Sequence, residues 1–229
     1  MRSIESPMIL DLFCGGGGAA EGYLRTFPDA KLVGVDIRDH STNYPAEFVQ
    51  GDAIEYLKAH GKKYDLVHAS PPCQGYSKHV TSASSRWVPT KGKDEPKLIA
   101  PLRSILARYN RSYVIENVMG AKEHLIDPVI LCGTMFGLPI SRHRLFETSF
   151  DVVVPPHPKC IGVAKDYAEE RGWEYRDMSV TGKGRRTGTA DRWSEILGIK
   201  HRMTQAELSE AIPPAYTEYI SQQWRNNEH

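Results

Sequence analysis

Short apolar runs recur along the first two thirds of the chain, and each stops at a glycine, an acid or a proline turn. Met8 to Phe13 (MILDLF) is the first, and it runs straight into CGGGG. Such a run reads as a buried strand feeding a glycine turn. Ala19 to Phe27 fits a helix, Lys31 to Ile37 (KLVGVDI) a second strand, and Phe48 to Gln50 a short third strand closed by Gly51-Asp52. Ala53 to His60 makes a helix with Ile54 and Leu57 inward. Tyr64 to Ala69 is a fourth strand, stopped by Ser70-Pro71-Pro72-Cys73. Residues 74–95 are polar and aperiodic. Pro96 to Tyr109 carries Leu98, Ile99, Leu102, Ile105 and Leu106 at helical spacing. Tyr113 to Ile115 is a fifth strand ending in Glu116-Asn117-Val118, and Arg144 to Val154 is rich in strand formers.

Strands alternating with helices predict an α/β fold, a doubly wound and mostly parallel sheet covered on both faces. Ligands of such sheets bind outside the carboxyl ends of the strands. Asp11 to Gly18, Asp36, Asp52, Ser70 to Gln74 and Glu116 all fall at those ends. That agreement predicts an enzyme. Residues 151–203 change character, with PPHPKC and TGKGRRTGTADRW reading as an irregular subdomain or long insertion. Helical pattern resumes at Thr204, an N-cap with Glu207 three residues on. Pro213-Pro214 then interrupts, and a last helix runs from about Ala215 to Trp224. The expected organisation is a catalytic domain over 1–150, a small recognition region over 151–203, and helices over 204–229 that pack back on the first part.

Charge adds little, because 29 Lys and Arg against 28 Asp and Glu leave a net charge of +1. Any nucleic-acid surface must therefore be local. The four cysteines are Cys14, Cys73, Cys132 and Cys160. No two are spaced C-x-x-C, so a zinc knuckle is not expected and no metal is assigned. Each cysteine reads first as a small buried hydrophobe. No segment approaches the roughly 18 apolar residues of a membrane span, and no signal peptide is visible. The expected setting is cytoplasmic, with thiols reduced. Nothing requires more than a monomer.

The glycine turn lets backbone pass close to a ligand, and Asp36 at the next strand end suits a ribose hydroxyl pair. A plain glycine turn explains the same residues about as well. Asp52 suits an adenine amino group, or simply a helix N-cap. Ser70-Pro71-Pro72-Cys73-Gln74 is the most specific segment. Two prolines stiffen the strand end and hold Cys73 in place, which serves a nucleophile. Glu116 ends the neighbouring strand and can face the same cleft. Its alternative reading is a surface or capping glutamate. Arg142 and Arg144 share a face by alternation and can clamp a carbonyl oxygen or a phosphate, or lie on a solvated basic edge.

Taken in order, DLFCGGGG, VDI, GDA, SPPCQ, ENV and SRHRLFE resemble the DNA cytosine-5 methyltransferases over about residues 8–148, and weakly again over 204–222. The resemblance implies a Rossmann-like fold that takes S-adenosylmethionine and releases S-adenosylhomocysteine. It implies donor binding by Asp11, Phe13, Cys14, Gly15, Gly17, Asp36, Ile37, Asp52, Ala53 and Pro72. It implies Cys73 as nucleophile at cytosine C6, Glu116 as partner of N3, Arg144 on O2, and Arg142 supporting that site or the DNA backbone. The base must then be flipped out of a duplex. Gln74, Ser77, Lys78 and Arg86 belong to a basic loop able to close over it. Lys183, Arg185, Arg186 and Arg192, interleaved with glycines, form the best reader of double-stranded DNA. The alternative for that stretch is a solvated loop. Two departures stand out. Glu210 occupies the place of an asparagine in a segment usually of Gly-Asn-Ala-Val-Pro type, and the recognition region is minimal. Small proteins of this look occur in bacteria and their phages, so DNA modification or protection is the implied role. The competing readings are a tRNA cytosine methyltransferase, a silent DNA-binding relative, and a nicotinamide oxidoreductase, the last resting on the glycine loop alone.

Overall fold

The computed structural model describes residues 6–76, 96–180 and 188–227. Seven strands form one sheet: β1 (Met8–Leu12), β2 (Lys31–Asp36), β3 (Glu47–Gln50), β4 (Leu66–Ala69), β5 (Ser112–Asn117), β6 (Val129–Leu131) and β7 (Arg144–Thr148). Their order is β3-β2-β1-β4-β5-β7-β6. β7 is antiparallel to both of its neighbours, and every other pairing is parallel. The chain reverses direction across the sheet at β1 and β4, the switch point at which such sheets open a crevice.

Apolar runs are continuous because both faces are covered. Leu10, Leu12, Val67, Ile115 and Leu145 point to one side and join Leu57 of α2 (Ala53–His60) and Leu102 and Leu106 of α3 (Ile99–Tyr109). Ile9, Leu66, Val114 and Phe146 point to the other side. There they meet Tyr23 of α1 (Gly18–Thr26) and Tyr216, Ile220 and Trp224 of α7 (Pro214–Asn227). The period of two along each strand sorts neighbours onto opposite faces. Each such side chain contributes about 1.5–3 kcal/mol on burial.

The sequence reading of this part differs from the structure mainly at element ends. β6, only three residues long, carries too few positions to show a period. The region 151–203 requires a larger correction. It contains α4 (Val163–Glu170), a 3-10 turn at Tyr175–Met178 and α5 (Ala190–Leu197). A separate core joins Ala168, Met178, Val180, Trp193, Ile196 and Leu197 with Met203 and Leu208. Only Ala168 of α4 is buried, so that helix shows no apolar stripe in sequence. The expected capping box is present, with Thr204 and Glu207 bonded reciprocally at the start of α6 (Gln205–Glu210). Pro214 then opens α7 at the helical position that tolerates it. No described helix is long and apolar enough to cross a membrane.

Candidate active site

A cleft of about 430 Å³ lies at the carboxyl ends of β1, β2, β4 and β5. One end is built by the glycine turn after β1. Phe13 takes φ 57°, which is unusual for a residue with a side chain, and Gly17 takes φ 90°. Backbone strain of this kind persists only where the surroundings enforce it. Here Asp36 enforces it, accepting from the Gly15 amide at 3.0 Å and from the Arg38 amide at 2.9 Å. Gly16 is required for a different reason. A Cβ there would stand 2.5 Å from Cε of Met203 and 2.9 Å from Cβ of Glu207. The later chain thus closes directly over the turn. Glu207 accepts from His40 Nδ1, from Asn43 and from the Thr204 amide, and so ties α6 to the loop after β2.

This end suits a ligand with a nucleoside part and a cationic part. Ile37 is 69% exposed and lines the cleft, offering an apolar face to a flat base. Asp11 is fully buried. One oxygen accepts from the Tyr44 hydroxyl at 2.9 Å, and the other has no hydrogen-bond partner among the described residues. Burial, offset by Tyr44 and reinforced by Asp36, pushes its carboxyl up to about 7. A cation placed beside that oxygen would relieve the cost of burying it. Burial drives the Cys14 thiol strongly upward, so this cysteine is inert.

The other end of the cleft brings together Cys73, Glu116 and Arg144. β4 and β5 are in parallel register with Ala69 opposite Ile115, so Ser70 and Glu116 leave the sheet side by side. Asn117 donates to the Pro71 carbonyl at 2.9 Å and binds the two strand ends together. The Tyr76 amide donates to the Cys73 carbonyl at 3.0 Å, and the Tyr76 hydroxyl accepts from the Ile99 amide at the start of α3. Cys73 therefore sits on a turn anchored at both ends. Glu116 is buried, with Arg144 Nε 3.2 Å from its carboxylate. Burial raises the Glu116 carboxyl, while Arg144, the Ser70 hydroxyl and Arg142 pull it back.

Behind Glu116 runs a buried chain that the motifs do not announce. The Tyr23 hydroxyl lies 2.9 Å from His68 Nδ1, and His68 Nε2 lies 2.9 Å from Ser70 Oγ. Burial lowers the His68 pKa to about 3, so the ring is neutral. With Glu116 ionised, one consistent order runs through the chain. Tyr23 donates to Nδ1, Nε2–H donates to Ser70, and Ser70 donates to Glu116. In sequence His68 is just one polar residue inside an apolar strand, and that oddity was its only signal.

Of the expected donor residues, Asp11, Phe13, Cys14, Gly15, Asp36, Ile37 and Pro72 line this cleft, as do Cys73, Gln74, Glu116, Arg142 and Arg144. Gly17, Asp52 and Ala53 are not on its wall. Gly17 packs on Pro45, and Asp52 caps α2, accepting from the Ile54 and Glu55 amides. Arg142 precedes β7 instead of opening it. Its guanidinium donates to the carbonyls of Val180 and Ser209, which makes it a buried brace on the cleft wall, and its Nε has no hydrogen-bond partner among the described residues. Arg192 is likewise committed, pairing with Asp177 and lying over the Trp173 ring. Ser77, Lys78, Arg86, Lys183, Arg185 and Arg186 lie outside the described residues. Glu210 pairs with Arg38 across the rim of the cleft, so the substituted position has gained an ionic contact. The C-x-x-C criterion for metal also misses a grouping just outside the cleft wall. Cys132, His143, His157 and Cys160, from separate segments, come within 4.8 Å of one another.

The sheet order, the single antiparallel β7 and the crevice at the switch point define the fold of S-adenosylmethionine-dependent methyltransferases. The chain aligns over most of its length with two solved structures. One is the Entamoeba histolytica methyltransferase EhMeth, at TM-score 0.64 and 15% identity over 98% of this chain and 99% of that one. The other is the S. pombe Dnmt2 methyltransferase, at TM-score 0.60 and 13% identity over 94% and 97%. Its sequence matches the Type II methyltransferase M.NlaX of Neisseria lactamica, 25% identical over 62% of this chain and 51% of that protein. It also matches the Type II methyltransferase M.AgeI of Thalassovita gelatinovora, 28% identical over 65% and 41%. No family model matches. The chain is thus similar in sequence to Type II methyltransferases, and it spans about half or less of the length of these curated relatives.

Proposed function

We propose that the protein transfers a methyl group from S-adenosylmethionine to C5 of cytosine in double-stranded DNA, with Cys73 forming a transient bond to C6. The observation that carries this reading is one cleft with Cys73 and Glu116 at one end and Asp11, Asp36 and Ile37 at the other. The donor supplies an electrophilic methyl on a sulfonium. Asp36 suits its ribose hydroxyls, Ile37 its adenine, and the unpaired oxygen of Asp11 its ammonium group. Cys73 sulfur bonds to C6, and the ring electrons move toward C5 and N3. Glu116 hydrogen-bonds or protonates N3 and so stabilises the charge that attack creates. Arg144, 3.2 Å from Glu116, would bond the O2 carbonyl. Once C5 has taken the methyl, loss of its proton to a base and departure of Cys73 restore the ring. C6 is hidden in a stacked duplex, so the base is turned out into the cleft.

Tritium transfer from labelled donor to duplex DNA, run beside tRNA, tests the reading. Label in DNA, lost in Cys73→Ser, and a covalent complex with 5-fluorocytosine DNA are the expected results. Label in tRNA alone would move the substrate to RNA. Failure of both nucleic acids in a chain that binds S-adenosylhomocysteine would leave a silent relative.

A further inference from the structure

Four candidate metal ligands converge at the far edge of the sheet. Cys132 follows β6 and starts the 3-10 turn at Gly133–Phe136. His143 immediately precedes β7, and His157 and Cys160 lie in residues 151–160, which form no helix or strand. The Cys132 and Cys160 sulfurs are 3.6 Å apart. His157 Nε2 lies 3.1 Å and His143 Nε2 3.9 Å from the Cys160 sulfur. The two imidazoles meet edge to face at 66°, with centroids 5.1 Å apart. A tetrahedral zinc with Zn–S ~2.3 Å and Zn–N ~2.0 Å sets its sulfurs ~3.8 Å apart and each sulfur ~3.5 Å from a nitrogen. The two sulfur–nitrogen separations bracket their edge, and the sulfur–sulfur separation is slightly shorter than its own. Thr134 Oγ1 lies 3.4 Å from each sulfur, a hydroxyl placed as an outer partner of both.

We propose that Cys132, His143, His157 and Cys160 bind a structural zinc ion that fastens the entry of the small region to the sheet edge beside the active site. Four protein ligands leave no open position, so the ion has a structural role. Two thiolates neutralise its charge. It holds together a segment with no secondary structure of its own, because two ligands come from that segment and two from the sheet edge. It also fixes the backbone of His143, whose neighbours are Arg142 and Arg144. Arg144 then keeps its place against Glu116, and Arg142 keeps its bonds to the Val180 and Ser209 carbonyls. None of this depends on which group the enzyme methylates.

The test is metal content of the full chain, purified under reducing conditions from zinc-supplemented cells and measured by mass spectrometry. About one zinc per chain is expected, retained in Cys73→Ser, which removes only the proposed nucleophile. Cys160→Ser and His157→Ala each lose the ion. Both positions reach the surface, and circular dichroism confirms that the variants fold. Cobalt exchanged into the site gives thiolate-to-metal charge transfer and tetrahedral d–d bands, absent in Cys160→Ser. A chain that takes up no zinc or cobalt overturns the proposal. So does zinc that persists unchanged in both variants, or a Cys132–Cys160 disulfide in the reduced preparation.

Discussion

The cleft and the small region are organised by different rules. In the cleft Asp11, Asp36, Cys73 and Glu116 all lie at or just past a strand end, within a few positions of an apolar run, and neighbouring strands bring the ends together by register. In the small region contacts join residues far apart in sequence. Trp193 packs with Met178, Val180 and Met203, and the Cys132–Cys160 group draws on three segments. Strand-end chemistry is therefore local and repeatable. The small region depends on a few large or polar anchors, each of which matters more.

Substitutions can break or sharpen that contrast. Cys73→Ser should remove at least about 10⁴-fold of methyl transfer with little change in stability, because serine keeps the size of a partly exposed side chain. Trp193→Ala should do the reverse. Losing a fully buried Trp should cost about 3–5 kcal/mol, read as an early transition in urea unfolding, with S-adenosylhomocysteine binding retained. If donor binding fails with it, the two regions are one unit. Glu116→Gln should lower kcat by about 10²-fold with little change in KM for the donor. Ser70→Ala should lower kcat by about 10-fold. It also removes a donor that favours the ionised carboxylate, so the pH limb belonging to Glu116 should move to higher pH. A limb that stays put would show the Ser70 bond to be only structural.

The smallest effect concerns protons. His68 is held at about 3, below its unfolded value near 6.5, so it opposes folding as pH falls through that window. Asp11, raised to about 7, acts in the opposite sense, and its share of stability is lost as pH rises from about 4 to 7. The two largely offset one another in wild type. His68→Phe leaves Asp11 unopposed, so the variant's stability relative to wild type should rise as pH falls from about 7 to about 4. Donor binding that ionises Asp11 should release a proton on the acid side of pH 7, visible as a calorimetric enthalpy that depends on the buffer.

This contrast also explains what could be read in advance. The placement of Asp36, Cys73 and Glu116 on one cleft was legible because strand, stop and candidate residue are contiguous. Gly17 and Asp52 looked like ligand residues because a tight turn and a helix cap use the same residue types as a binding site. His68 was invisible, since its partners Tyr23 and Ser70 meet it only once β1, α1 and β4 are assembled. The carbonyls that Arg142 holds and the carboxylate that Arg192 pairs with lie far from them in sequence, so those contacts could not be read in advance. The metal ligands were missed because a spacing rule looks for pairs close in sequence.

The closure of Met203 and Glu207 over Gly16 has a consequence for how the protein is made. The donor pocket draws one wall from the first strand and another from residues 207–212. A nascent chain therefore carries a complete sheet and nucleophile well before it can hold a donor. Binding competence arrives only when the last two helices have left the ribosome. A frameshift after about residue 200 would remove that wall together with α7, which covers one face of the sheet.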